Sequence, residues 1–399
     1  MTEHAHDSVL VVFGAGALYG LERGVIEIFD LVRPEVDAQL LISRTPRRLG
    51  LPIFDEIERR GLPYSLLSDH DGWERLAKPK SPRHLWRVLA GLCRGNLDAL
   101  RDVRGRRVLY LPNLFAACYA CLAILYCRLS GRRVMFHFHE LVTTRSVPLC
   151  VLWWCVTDVI HNSVRSSEIV FAANPFLRRK RSFVIPCPLP SRATGAGGGD
   201  LDAMFSNRRN LLFVGQVSWH KGVDILLDAF DLVSRSCSNV TLHIVGGCQD
   251  PALDARLKTS RLENGCRIHV WGYREDVLEM MKRADVYVHP TPPSRYLESF
   301  GIGMLEAMSL GVPGVCFASG GLQEIVLHER TGLLCDVETS DELAAAILRL
   351  LRDDTFRRAC GADARRRYLE QYAPQLVKAR WLDVLTDSRR RVQLRAASF

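Results

Sequence analysis

Short apolar runs alternate along the chain with longer stretches of helical periodicity. In the first half Ser8 to Phe13, Ala38 to Ser43, Tyr64 to Leu67, Val108 to Leu111 and Val134 to Phe138 read as buried strands, followed by Ile169 to Ala172 and Phe183 to Pro186. Between them Leu21, Val25, Ile28 and Phe29 recur at helical spacing, residues 52–60 form a second helical stretch, and 83–100 carries Leu85, Val88, Leu89, Leu92, Leu97 and Leu100 on a third. The stretch SRATGAGGGDLD at 191–202 is poor in apolar residues and rich in glycine, the composition of a linker. The pattern then restarts. Leu211 to Val214, Thr241 to Val245, Ile268 to Trp271, Val286 to His289 and Gly314 to Phe317 read as strands. Val223, Leu226, Leu227 and Phe230, and later Ile302, Leu305 and Met308, mark helices, the second stopped by Gly311 and Pro313. After Leu334 the chain is helical over 341–352 and 355–372, and a last helix follows Ala373-Pro374 with Val377, Trp381, Leu382 and Leu385 on it. Strand–helix alternation of this kind predicts an α/β fold of two Rossmann-like halves.

Length agrees, since 399 residues suffice for two cores. The hydrophobic fraction of 48% describes a soluble globular chain. Thirteen cysteines, an odd number scattered mostly through apolar runs, read as reduced thiols of a cytosolic protein, and Cys118-x-x-Cys121 reads as core packing. The polar start MTEHAHD shows no secretory signal. The most membrane-like stretch, 108–127, is split by Pro112-Asn113 into a strand and a helix beginning near Phe115. Each half is shorter than the roughly 20 residues a span needs.

Charge changes the picture more. The net charge is +9, and residues 1–190 carry 26 Lys and Arg against 18 Asp and Glu, leaving 27 against 26 for the remainder. The excess concentrates in 75–107, where Arg75, Lys78, Lys80, Arg83, Arg87, Arg94, Arg101, Arg104, Arg106 and Arg107 meet only Asp98 and Asp102. No nucleic-acid motif accompanies the cluster, so it reads as a solvated face or a contact for an anionic membrane. Arg178 to Arg181 read as a solvated turn.

Candidate chemistry centres on two carboxylates. Glu298 lies in a turn-rich loop after the strand ending at His289, and Glu306 lies within the helix that follows. Between them Ser299, Phe300 and Gly301 bring backbone to the helix N-terminus, where free N–H groups favour phosphate. Gly320-Gly321 reads as the opening of a second helix through Glu324, and so as a second such N-terminus. Lys221, just before the helix of Val223, can place a cation on a pyrophosphate. In the first half, Gly14-x-Gly16-x-x-x-Gly20 after a strand resembles a dinucleotide turn but misses its spacing by one residue. Asp69-His70-Asp71 spells D-x-D in a turn and reads as a loop accident, and alternation puts His137 and His139 on one side of their strand.

ESFGIGMLEAMSLGVP with its Glu298-x7-Glu306 pair, then GGLQEIV and TGLL, resembles the donor-sugar signature of the retaining glycosyltransferases of family 4. The resemblance covers most of the chain, strongly over 208–336 and more loosely over 8–190. It implies the GT-B fold, two Rossmann-like domains facing across a cleft: an acceptor-side domain at 1–190, a linker at 191–207, a nucleotide-sugar domain at 208–372, and a helix and tail at 373–399 crossing back to the first domain. It further implies catalytic roles for Glu298, His139 and Lys221, and donor contacts from Gly16, Gly215, Gln216, Gly246, Tyr273, Arg274, Ser299, Phe300, Gly301 and Glu306. Glu298 would hold sugar hydroxyls, Glu306 the ribose, and His139 the sugar or transition-state charge. The implied partners are a nucleotide-sugar donor, UDP- ahead of GDP- or ADP-linked, and a saccharide or lipid-linked acceptor, with no cofactor, no metal and no nucleic acid. The implied place is the cytoplasm or the inner face of the cytoplasmic membrane. Two departures stand out: Gln216 sits where the family commonly has arginine, and Pro186-Cys187-Pro188 replaces a frequent asparagine-glycine pair. Gln216 motivates one rival, a non-catalytic GT-B subunit of a transferase complex, and the first glycine turn motivates another, an NAD-dependent oxidoreductase.

Overall fold

The apolar runs assemble into two parallel sheets. A computed structural model describes residues 8–13, 20–44, 53–68, 82–144, 146–189, 201–202, 204–205, 209–264 and 267–386, with backbone alone at 20, 82, 84, 85 and 87. The glycine turn with Gly16, the D-x-D at 69–71, Arg75, Lys78, Lys80, most of the linker and the tail after 386 lie outside the described residues. The chain divides into two units, Met1–Pro190 with Pro374–Phe399, and Ser191–Ala373.

In the first unit β1 (Ser8–Phe13), β2 (Asp37–Ile42), β3 (Tyr64–Leu66), β4 (Val108–Leu111), β5 (Arg133–Phe138), β6 (Asp158–His161) and β7 (Arg181–Val184) form one sheet in the order β3-β2-β1-β4-β5-β6-β7. The order reverses between β1 and β4, which pair in parallel. Strand alternation feeds two cores: Val9, Val11 and Phe13 join one cluster, Leu10 and Val12 the other. The helix Pro374–Thr386 seals the first cluster with Val377, Trp381, Val384 and Leu385. Trp381 is fully buried, 6.0 Å from the Tyr110 ring and 5.4 Å from the His137 ring. Lys378 pairs with Glu35 at 2.9 Å, and Arg133 donates to the Leu385 carbonyl at 3.2 Å.

Two expectations are corrected here. Residues Ile169 to Ala172 belong to the helix Val164–Ala173, capped by Ser163 in a capping box with Ser166. The strand of that region is β6, where Asp158 is fully buried between Arg133 and Arg181, each at 3.2 Å. Arg178 and Arg179 end a 3-10 turn, Pro175–Arg179, while Arg181 opens β7 rather than lying in a solvated turn.

The second unit holds β8 (Arg209–Val214), β9 (Val240–Val245), β10 (Ile268–Gly272), β11 (Val286–His289), β12 (Gly314–Phe317) and β13 (Gly332–Cys335), in the order β10-β9-β8-β11-β12-β13. Its strands are Val-, Ile- and Leu-rich and mostly buried on both faces, as parallel sheets require. The order reverses between β8 and β11. In open sheets of this kind the crevice at the carboxyl ends of such a strand pair is where ligands bind.

Candidate active site

Lys221 follows β8 and Glu298 follows β11, so the sheet order alone sends both to the switch point. Two glycines let the loops close. Gly222 has φ +68°, and a Cβ there would sit 2.0 Å from the Pro290 carbonyl oxygen. Gly320 has φ +48°, and a Cβ there would sit 2.0 Å from the Glu298 carbonyl oxygen. The Glu298 backbone is pinned, its amide donating to Ser319 Oγ at 3.2 Å and its carbonyl accepting from the Gly321 amide at 2.8 Å.

The Glu298 side chain is buried, and three donors converge on Oε1: Lys221 Nζ at 2.5 Å, His289 Nε2–H at 2.9 Å and Thr291 Oγ1–H at 3.0 Å. Burial alone would push this carboxyl upward. The hydrogen bond and charge of His289, with those of Lys221, outweigh it and hold Glu298 well below the usual carboxylate range. The Lys221 ammonium also lies 4.8 Å from the Tyr296 ring centroid. An ammonium has three N–H donors, so pairing with Glu298 leaves others to meet an anion.

Beyond Glu298 the chain passes half-buried Ser299 and buried Phe300 and enters the helix Ile302–Ser309 at Gly301, which is left-handed with φ +106°. Amides of the first turn have no acceptor within the helix. Glu306 is buried at mid-helix beside fully buried Leu305 and Ala307. The Gly320-Gly321 pair precedes a four-residue helix, Leu322–Ile325, and the Gly321 amide holds the Glu298 loop.

The remaining residues singled out in this unit lie along the same sheet edge. Gly215 and exposed Gln216 follow β8, Gly246 follows β9, and Tyr273 and Arg274 follow β10. Tyr273 is exposed, but Arg274 is no plain surface residue: it holds Asp276 through two bonds of 2.8 and 2.5 Å and lies 5.2 Å from the Trp271 ring. Sequence reasoning passed over His289, Thr291 and Ser319. Their one visible signal was position, at or just past strand ends on the carboxyl edge.

In the first unit His139 follows β5. Its ring lies 3.8 Å from that of His137, so the two do share a side, and its Nδ1 is 3.9 Å from Cys187 Sγ. His137 is the satisfied core histidine: Nε2–H donates to Asn162 Oδ1 at 2.7 Å, and the Tyr110 hydroxyl donates to Nδ1 at 2.5 Å. His139 Nε2 is buried with no hydrogen-bond partner among the described residues, and burial together with the charge of His137 keeps this ring neutral far below its ordinary range. His161, which sequence reasoning also passed over, stacks on Phe138 at 4.9 Å, and neither ring nitrogen has a hydrogen-bond partner among the described residues.

A prediction follows from this histidine cluster. Burial lowers His137 and His161 to about 3 from an ordinary 6.5. Between those values the unfolded chain binds protons that the folded chain refuses, so stability present above pH 6.5 is lost as pH falls toward 3. Thermal melts are expected to drop steadily below pH 6.5. His161→Phe, which keeps the stacking surface, should flatten that decline, and an unchanged slope in this variant would contradict the account.

The two Rossmann-like units have counterparts among known proteins. The fold is GT-B: HepE of Anabaena, solved with UDP and glucose, superposes with a TM-score of 0.76 at 18% identity over 96% of this chain and 100% of that one. Sucrose-phosphate synthase from Thermosynechococcus elongatus gives 0.70 at 19% identity, covering 95% and 98%. The family model of glycosyl transferases group 1 matches residues 203–367, all within the second unit. N-acetyl-alpha-D-glucosaminyl L-malate synthase of Bacillus anthracis is 31% identical over 173 residues, 42% of this chain and 44% of that protein. A GDP-mannose-dependent alpha-(1-6)-phosphatidylinositol monomannoside mannosyltransferase of Mycobacterium tuberculosis is 33% identical over 172 residues, 41% and 44% of the two chains. The chain thus matches less than half the length of these relatives.

Proposed function

We propose that this chain is a retaining, metal-independent glycosyltransferase. It would move a sugar from a nucleotide-sugar donor, a UDP-sugar ahead of GDP- or ADP-sugars, to a saccharide or lipid-linked saccharide during synthesis of a cell-surface polysaccharide or glycoconjugate. The observation that carries this reading is the constellation of half-buried Lys221 with buried Glu298 and His289 at the switch point of the second sheet. Glu298, held ionised and fixed by three donors, is suited to sugar hydroxyls, and Glu306 to the ribose diol. Lys221 and the first-turn amides of Ile302–Ser309 would take up the charge of the departing diphosphate. Departure on the face from which the acceptor attacks retains the anomeric configuration and needs no enzymic nucleophile. His139, neutral and with an unpartnered Nε2, is the first unit's candidate for contact with the sugar or its developing charge. The donor assignment draws on HepE, solved with UDP-glucose, and the lipid-linked acceptor on the phosphatidylinositol mannoside enzyme.

Turnover is expected to persist in EDTA, because Lys221 and helix amides supply the positive charge, and among the described residues no three His, Cys, Asp or Glu converge as metal ligands. A thermal-shift screen of UDP-, GDP- and ADP-sugars selects the donor, and turnover is then followed with chelator. Loss of activity restored by Mg²⁺ or Mn²⁺ would bring Asp69 and Asp71 back as ligands. Exposed Gln216 favours a second reading, a non-catalytic GT-B subunit with one phosphate-facing cation too few. Transfer or hydrolysis of any nucleotide sugar by the purified chain removes it.

A further inference from the structure

We propose that three consecutive helices of the first unit form a docking face for an anionic phospholipid bilayer. The helix Pro82–Val103 packs against Cys121–Leu129, which packs against Val147–Cys155. Each presents an exposed apolar stripe at helical spacing, where a water-facing helix would carry polar side chains. On the first helix the stripe is Trp86, 73% exposed, with Leu89, Cys93 and Leu97. On the second it is Leu122, Leu125 and Leu129, although the opposite side of that helix is already apolar and buried through Ala123, Ile124 and Cys127. On the third it is Val147, Val151 and Trp154. A helix apolar on both sides needs a second apolar partner, and none of the described residues covers these stripes.

Charge says what that partner is. The second and third helices contain no acidic residue. The first contains Asp98 and Asp102, whose side chains are 13% and 11% exposed and turned to the Ser68 amide and the Ser65 hydroxyl. Exposed Arg83 and Arg94 border the first stripe. At the third, the Arg128 guanidinium lies 5.0 Å from the Trp154 ring, and Lys180 donates to the Trp154 carbonyl at 3.1 Å. Tryptophan flanked by cations beside aliphatic side chains suits the headgroup region, with rings and leucines in the acyl boundary and cations on lipid phosphates. No described helix is long and apolar enough to cross a membrane, so the contact is peripheral. The proposal deepens the function above and rests on it only for the purpose served, which is to hold the chain where a lipid-linked acceptor resides.

The test is co-sedimentation of the full chain with phosphatidylcholine vesicles and with vesicles containing about one quarter phosphatidylglycerol, at about 50 and about 500 mM salt. Binding is expected only with the anionic lipid and should fall with salt. Leu125→Glu and Val151→Glu sit at exposed positions that need no repacking, and each should weaken binding on the order of tenfold or more. Leu262→Glu, at an 81% exposed site of the other unit, should not. Equal recovery on neutral and anionic vesicles, or full binding by the two variants, would overturn the proposal. So would a dimer in sedimentation equilibrium that Leu125→Glu dissociates, since the face would then belong to a second copy. UDP titration of the same variants separates the two ideas: lost vesicle binding with intact nucleotide binding is the docking result, whereas vesicle binding by a chain that turns over no donor sinks the transferase reading alone.

Discussion

Glu298→Gln is expected to lower turnover on the order of 10²–10³-fold while leaving nucleoside diphosphate affinity within about threefold. Lys221, His289 and Thr291 all donate to Glu298 Oε1. A glutamine carbonyl keeps an acceptor for them in the same place, so the loops held by Gly222 and Gly320 stay closed. What disappears is the negative charge, and with it the charge-assisted bonds proposed between Glu298 and sugar hydroxyls. Glu298→Ala is a different experiment. It strips buried His289 and half-buried Lys221 of their acceptor; breaking a fully buried pair costs about 3–5 kcal/mol, so a smaller loss and a lower melting temperature should accompany the lost activity. Calorimetric titration with UDP and a turnover assay on the Gln variant decide the assignment. Wild-type turnover in that variant would mean that Glu298 serves only to hold Lys221.

Much of this architecture was legible because parallel strands covered on both faces read as unbroken apolar runs. Val108 to Leu111, Val286 to His289 and Gly314 to Phe317 coincide with β4, β11 and β12. The failure at β6 has the same root. Asp158 and His161 make that strand half polar, and the arginines that neutralise Asp158 come from β5 and β7, outside any local window. The nearby run of Ile169 to Ala172 is as apolar as a strand, and only the Ser163 cap marks it as helix. At the site, Glu298 and Glu306 stood out by their spacing within a longer pattern. The pairing of Glu298 with Lys221 did not, since the two lie 77 residues apart and are brought together by sheet order and two left-handed glycines. Sequence alone therefore assigned Lys221 to a phosphate and left unseen that Glu298 holds it.

Glu306→Ala should separate the two carboxylates by their ligands. A carboxylate accepting both hydroxyls of a ribose makes charge-assisted bonds worth roughly 1.5–3 kcal/mol, so UDP affinity is expected to fall about ten- to a hundredfold. Alanine is the strongest helix former, and Glu306 sits at the middle of Ile302–Ser309, so the helix itself should persist. Its neighbours Met304, Leu305, Ala307 and Met308 are all fully buried, so that helix is packed on several sides and its position does not hang on one side chain. Glu306→Gln keeps one acceptor of the two, and an intermediate affinity is expected. Titration of UDP against UMP and free uridine then locates the loss. If the ribose is the contact, all three ligands weaken by the same factor, because the proposed phosphate contacts to Lys221 and the helix amides are unchanged by the substitution. A loss that grows with the number of phosphates would place Glu306 in the electrostatics of the helix N-terminus, and unchanged binding of all three would leave it a core carboxylate with no part in recognising the donor.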